Sequence, residues 1–304
     1  MKIAYFGNGR RGVVCLKTAI AQGWNVKILV ANPGSHTAEK PNPLCQLADE
    51  HGIPTLIPAR INAPESISVL SKYGVDLIVM AGYSPILKHE ILALPPLGSI
   101  NLHGGKLPDY RGGSPINWQI INGEKEGGCV IHYVNEGIDT GDILVQEIYP
   151  IGSDETAGEV IERTLEIFPR LLIGAIADIE NGTARPRPQD QAVGSYYCQR
   201  YPEDGRIHWQ DMTARQVHNL VRGLNGPGLP GAFTFLDGTK VVLWKTEFPK
   251  EIVKGAPGRL VFLKQGEIFG IAKDRGLVIS EVRFDADPKI MPATDVLRPG
   301  LSLQ

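Results

Sequence analysis

Apolar and polar positions alternate in two different ways along this chain. In the first half, short apolar runs of strand length alternate with segments whose apolar residues recur at helical spacing. Residues 2–6 form a short apolar strand, 7–12 a turn, and 13–22 a helix. Residues 25–31 read as a β-branched strand and 43–51 as a helix. The run 75–80 (VDLIVM) is continuously apolar, as expected for a strand buried on both faces. Residues 99–103 are the next strand. Strands alternating with helices predict an α/β domain, a parallel sheet with helices on both faces.

After Tyr110 the pattern changes. Residues 130–134 and 143–149 read as two strands around a Gly/Asp-rich loop, 135–142 (NEGIDTGD), and 156–180 as one long amphipathic helix. The stretch 181–191 (NGTARPRPQDQ) is polar and Pro-rich, the composition of a linker. Beyond Tyr201 follow a helix, 213–224, and strands at 232–236, 240–246, 258–263 and 277–284. Short strands with turn signals between them predict a small β-barrel or half-open barrel. We expect a catalytic domain over 1–190, a linker over 191–200 and a second domain over 201–304.

At 304 residues the chain is long enough for two such domains. With 42% hydrophobic and 21% charged residues it is not a disordered chain. A net charge of −2 argues against a strongly basic nucleic-acid binder, though not against a local patch. Charge is mildly uneven, net −5 over 1–199 and +3 over 200–304. Cys15, Cys45, Cys129 and Cys198 include no C-x-x-C, so they fit reduced thiols and a cytoplasmic protein. No secretory signal and no apolar run of membrane-spanning length is visible, so membrane insertion is not expected. No metal site is expected either.

Two motifs compete for the function. Gly7-Asn8-Gly9-Arg10-Arg11-Gly12 fits G-x-G-x-x-G between a strand and a helix, the context of a dinucleotide site. That fingerprint also needs an acid near the end of the second strand, and the first acidic residue of the chain is Glu39. Arg10, Arg11 or Lys40 could instead hold a 2′-phosphate. Two other readings are a glycine turn that packs the first helix on the sheet, and a helix N-terminus that binds an acceptor phosphate with Arg10.

The second motif is residues 99–118, SINLHGGKLPDYRGGSPINW. Asn101 and His103 are two apart on a strand, so both face one site at the carboxyl edge of the sheet, where open α/β sheets bind ligands. Asn supplies a neutral donor for a developing oxyanion. His is the usual proton acceptor near neutral pH. Asp139 lies at the centre of the 135–142 loop, and a carboxylate beside the imidazole would orient it. The sequence has no G-x-S-x-G, P-loop or H-E-x-x-H. Such a trio suits direct attack on a carbonyl by an external nucleophile. Residue spacing does not by itself place Asp139 beside His103, and the acidic loop could equally be solvated.

The order N-L-H, G-x-x-L-P-x-Y-R-G-x-x-P-I-N-W and then G-I-D-T-G-D resembles the formyltransferases that use 10-formyltetrahydrofolate. The segment Val217-His218-Asn219-Leu220-Val221-Arg222, followed by Leu229-Pro230-Gly231-Ala232-Phe233, is similar to the C-terminal domain of two-domain members. The resemblance implies a Rossmann-like domain followed by an OB-like domain. It implies Asn101, His103 and Asp139 as the catalytic trio and 10-formyltetrahydrofolate as co-substrate. It implies a pterin site built by Met80, Gly82, Tyr83, Ile86, Leu87, Asn135, Gly137 and Ile138, largely through backbone groups. The chain departs from the usual motif at Gly105-Lys106, where many members have Ser-Leu. It departs again at Gly228-Leu229-Pro230, where many have Pro-Trp-Pro.

Three acceptors fit. Residues 216–224 look most similar to the enzyme that formylates a UDP-linked 4-amino sugar, and the C-terminal domain is only weakly basic. We therefore expect a nucleotide-linked 4-amino sugar as acceptor, a role in lipopolysaccharide biosynthesis, and Arg10, Lys106, Arg111 and Arg222 on the acceptor and its diphosphate. Methionyl-tRNA is the alternative, with tRNA as partner. A formyltetrahydrofolate hydrolase, in which water replaces the amine, is the third reading. A homo-oligomer and fusion to a second enzymatic domain both stay open.

Overall fold

The computed structural model describes residues 1–33, 41–263, 266–285, 287 and 289–304. Residues 34–40, between the second strand and the helix read at 43–51, lie outside the described residues, and Lys40 with them. The chain divides into two compact units, both discontinuous. The first comprises Met1–Gly112, Gly128–Ile148 and Arg163–Tyr196; the second comprises Gly113–Gly127, Tyr149–Glu162 and Tyr197–Gln304.

In chain order the elements of the first part are β1 (Lys2–Gly7), α1 (Gly9–Ala21), β2 (Asn25–Ala31), α2 (Pro43–Glu50), β3 (Thr55–Leu56), α3 (Pro64–Ser71), β4 (Leu77–Ala81), α4 (His89–Leu92) and β5 (Ser99–His103). Then come β6 (Arg111–Gly112), α5 (Pro115–Ile121), β7 (Glu126–Tyr133), β8 (Ile143–Pro150), α6 (Ala157–Glu180) and β9 (Tyr196–Tyr197). The main sheet has the order β3-β2-β1-β4-β5-β7-β8. Its first five strands are parallel, and β7 is antiparallel to β5. The two strands read around the acidic loop thus extend the same sheet, with β7 running in the opposite sense to β5.

Period-two alternation fills both faces. Ala4 and Phe6 of β1 join Ile28, Val30, Ile78 and Met80 in one core layer. Tyr5 points the other way, and its Oη donates to the Gly12 carbonyl of α1 at 2.8 Å. Helix α1 buries Gly12, Cys15, Leu16 and Ala19, one stripe at helical spacing. The strand order reverses between β1 and β4, which makes the carboxyl ends of these strands the switch point of the sheet.

The glycine-rich turn sits at that point, and its glycines serve packing. Asn8 N–H donates to the Ala81 carbonyl at 3.1 Å. A Cβ on Gly12 would lie 3.1 Å from the same oxygen. Gly82 has φ +76°, and a Cβ there would lie 2.6 Å from the Asn8 carbonyl oxygen. The turn and the end of β4 are therefore locked together by close backbone approach.

The second unit contains α7 (Ala214–Gly223), β10 (Ala232–Leu236), β11 (Thr239–Glu247), β12 (Leu260–Phe262), β13 (Ile268–Ile271), β14 (Gly276–Phe284), β15 (Met291–Pro292) and α8 (Ala293–Val296). The antiparallel order is β10-β11-β14-β13-β12, with β15 on β14. Strand β13 was not visible as a separate apolar run. Helix α7 opens with a capping box, Thr213 with Gln216, and buries Val217, Leu220 and Val221 against the sheet. The final residues join both edges of this sheet. Leu303 bridges Leu236 at the end of β10, and Ser302 bridges Arg259 beside β12.

Candidate active site

The β5–β7 register builds the centre of the site. Asn101 pairs with His132, and His103 pairs with Val130. Asn101 and His103 emerge on the same side of β5, as the spacing of two requires. The loop between β7 and β8 then brings in Asp139, which holds a left-handed φ of +52°. The three residues expected to act together do meet. Asp139 Oδ2 lies 3.4 Å from His103 Nδ1, and Asn101 Nδ2 donates to Asp139 Oδ1 at 3.3 Å.

Two groups that the sequence did not point to complete the cluster. His132 Nε2 lies 3.3 Å from Asn101 Nδ2 and 3.4 Å from Asp139 Oδ1. Gly112 N–H donates to Asp139 Oδ2 at 2.8 Å. His132 is a lone imidazole in an otherwise apolar strand. That was its only sequence signal, and its use here depends on a strand register that sequence does not show.

The hydrogen positions follow from the partners. His103 Nε2 is 2.7 Å from the Tyr110 carbonyl, which can only accept, so Nε2 carries a hydrogen. His132 Nδ1 is 2.7 Å from the Tyr133 carbonyl and likewise carries one, which leaves Nε2 to accept from Asn101. Burial lowers the pKa of His103 below the ordinary imidazole range, against the opposing pull of Asp139. Burial also works to raise the Asp139 carboxyl. The charge of His103 and the Gly112 N–H outweigh it and hold the group well below the usual carboxylate range. The result is an ionised carboxylate under two imidazoles, able to support positive charge on His103.

The residues expected around a pterin lie at the ends of β4 and in the Asp139 loop. Met80 and Leu87 are 6% and 2% exposed and put their side chains into the core, so neither side chain is presented to a ligand. The Tyr83 ring packs edge-on against Phe6 at 5.1 Å, and its buried hydroxyl has no hydrogen-bond partner. Ile86 and Ile138 are 66% and 51% exposed, unusual for large apolar side chains. Asn135 Oδ1 accepts from Gly137 N–H at 3.0 Å and from the Thr140 hydroxyl at 2.7 Å, which shapes the loop.

Two expected acceptor-binding arginines are corrected by their burial. Arg111 is 1% exposed. Its Nε and Nη2 both donate to Gln189 Oε1, at 3.1 and 3.0 Å, and its guanidinium lies over the Tyr196 ring at 5.3 Å. Arg222 is 5% exposed. It donates to Asn219 Oδ1, to the Gly152 and Glu155 carbonyls and to the Ile120 carbonyl. Both guanidiniums hold the protein's own oxygens and are not presented to a diphosphate. Arg10 is exposed at the start of α1, and Lys106 is half-buried in the loop after β5.

The segment 181–191 is also more than a spacer. Arg187 and Ile143 exchange two backbone hydrogen bonds of 2.8 Å. Gln189 Nε2 donates to the Asp139 carbonyl at 2.8 Å and to the Gly141 carbonyl at 2.7 Å, and Gln191 Nε2 donates to the Thr140 carbonyl at 3.1 Å.

Comparison with known proteins places this geometry. A profile of formyl transferases matches residues 1–176, and one of the formyl transferase C-terminal domain matches residues 200–299. The chain belongs to the formyl transferase family. A methionyl-tRNA formyltransferase of Ruminiclostridium cellulolyticum is 38% identical over 98% of this chain and 96% of the relative. Another, of Citrifermentans bemidjiense, is 34% identical over 100% of this chain and 95% of the relative. Among solved structures, a sugar 3N-formyl transferase crystallised in the presence of dTDP and 5-N-formyl-THF superposes with a TM-score of 0.67. It is 19% identical, with 91% of this chain and 96% of that one covered.

These findings overturn the expected amino-sugar acceptor of this formyltransferase. The sugar enzyme shares the fold at low identity, whereas full-length relatives at 34–38% identity are named for methionyl-tRNA. Net charge misled, because a modest total says little about where the charges stand. Among the described residues no helix is long and apolar enough to cross a membrane. None of their His, Cys, Asp and Glu side chains form a group of three or more placed to hold a metal ion.

Proposed function

We propose that this formyltransferase passes the formyl group of 10-formyltetrahydrofolate to the amino group of methionyl-tRNA. The observation that carries the reading is the 38% identity to a methionyl-tRNA formyltransferase across nearly the whole of both chains. The site fits the donor. Exposed Ile86 and Ile138 offer apolar surface to a flat heterocycle.

The trio supplies the chemistry. The acceptor amine attacks the formyl carbon, a C–N bond forms, and the carbonyl oxygen gains negative charge. Asn101 and protonated His103 stabilise that oxyanion. Asp139 keeps His103 oriented and lowers the cost of its positive charge. Collapse breaks the bond from the formyl carbon to N10, which takes up a proton as the amine loses one. Asn101 Nδ2 now faces Asp139 and His132. Donation to the oxyanion therefore requires the amide to turn one N–H outward.

The test is a turnover assay with 10-formyltetrahydrofolate, reading tetrahydrofolate release and formylated product. The arms are charged initiator methionyl-tRNA, nucleotide-linked amino sugars and no acceptor. Formylmethionyl-tRNA as the product, with the other arms silent, is expected. Turnover without acceptor would make the protein a hydrolase and overturn the reading.

A further inference from the structure

The Asp139 loop is held from behind by a relay that no sequence motif announces. Asp139 is not glycine, yet it keeps a left-handed φ of +52°, a conformation that L side chains adopt only where their surroundings hold them. Something must hold it there. Gln189 is 7% exposed, and its amide hydrogens go to the carbonyls of Asp139 and Gly141, one on either side of Thr140. Its amide oxygen is in turn gripped by two N–H groups of Arg111. The fully buried Arg111 is anchored by the Val193 and Asp190 carbonyls and the Tyr196 hydroxyl, each at 3.4 Å. The next residue, Gly112, gives its N–H to the Asp139 carboxylate. One two-residue strand thus holds Asp139 twice, through its backbone by way of Gln189 and through its carboxylate directly.

We infer that Gln189 and Arg111 are positioning residues for catalysis, which set the distance between the Asp139 carboxylate and His103. The inference rests on the proposed role of Asp139. The geometry explains why the relay needs these residue types. Only an amide can accept from a guanidinium at one end and donate to two carbonyls at the other. A buried guanidinium cannot lose its proton, so the relay keeps its sense at every working pH. Misplacement of a reacting group by about 1 Å is enough to cost about 100-fold in rate.

The test compares Gln189→Met with Asp139→Asn, using 10-formyltetrahydrofolate and methionyl-tRNA, after thermal melting shows which variants fold. We expect Gln189→Met to lower kcat by about 10- to 100-fold, with both KM values within about twofold. The limb of the pH profile set by His103 should move to lower pH, because the carboxylate that raises the His103 pKa has drifted away. Should that variant fail to fold, Gln189→Glu keeps the grip of Arg111 and loses both donated bonds, and the same fall in kcat at constant KM is expected. An inactive Asp139→Asn beside a Gln189 variant with native kcat would overturn the relay alone. A fall in kcat of Gln189→Met with an unmoved pH profile would do so too, as general loosening. An active Asp139→Asn would overturn the role of Asp139 itself.

Discussion

Asn101 and His132 stand directly opposite each other across the antiparallel β5–β7 pair, and their side chains meet at 3.3 Å. One amide nitrogen thereby serves two acceptors, the imidazole of His132 and the carboxylate of Asp139. His132→Phe would remove one of them and leave the Asn101 amide less restrained. One hydrogen bond is worth about 1 kcal/mol, so kcat should fall about five- to tenfold. Steady-state formylation kinetics would show it, and a native kcat would remove His132 from the site.

Ala at Asn101, His103 or Asp139 deletes a group of the proposed reacting cluster itself. Each should lower kcat by about 10²- to 10⁴-fold. Folate binding, read by calorimetry with a stable analogue, should change little. Native turnover in both the His103 and Asp139 variants would sink the mechanism.

Arg222 is bound to its own unit, so its removal should appear in stability and not in acceptor affinity. Arg222→Met leaves the Gly152, Glu155 and Ile120 carbonyls without this donor. A loss of about 2–4 kcal/mol in urea denaturation is expected, with an unchanged acceptor KM. A raised KM in a stably folded variant would return Arg222 to the acceptor.

Acid should weaken the fold through buried imidazoles. Burial lowers the pKa of His103 and of His218, the latter against the pull of the Ser153 carbonyl. The folded state then binds fewer protons than the unfolded one, so stability falls as pH drops below about 6.5. Asp139 adds to this at more acid pH, because its depressed carboxyl contributes stability that is lost as pH falls through its folded value. His218→Gln should shrink the stability difference between about pH 7.5 and about pH 5.5. An equal difference in the variant would show that His218 does not titrate on unfolding.

Gly82→Ala tests the lock at the switch point of the sheet. The methyl group would sit 2.6 Å from the Asn8 carbonyl oxygen at φ +76°. Strain and clash together should destabilise by about 2 kcal/mol or more. A native melting temperature would mean that the backbone yields there without cost.

Much of the fold was readable because its signals are local. VDLIVM predicted a buried central strand, and the turn composition of the second half predicted a small β domain. Asn101 and His103 were readable for the same reason, since a spacing of two puts them on one face. What stayed hidden depends on pairing. His132 matters only through its register with Asn101, and Gly112 only through a backbone N–H. Arg111 and Arg222 looked like ligand-binding cations because sequence does not show burial. Residues 181–191 looked like a spacer because their partners, the start of β8 and the Asp139 loop, lie some fifty residues earlier, beyond the reach of any local pattern.

The last residues of the second unit have a consequence beyond closing a sheet. Gln304 and Phe235 of β10 exchange backbone hydrogen bonds, and Leu303 N–H donates to the Gly258 carbonyl beside β12, so part of each outer edge of the sheet is already paired. An unpaired strand edge is a template for another chain. Trimming residues 302–304 would expose backbone donors and acceptors on both sides at once. The shortened protein would then be expected to self-associate through intermolecular β pairing, a hazard that three residues now suppress.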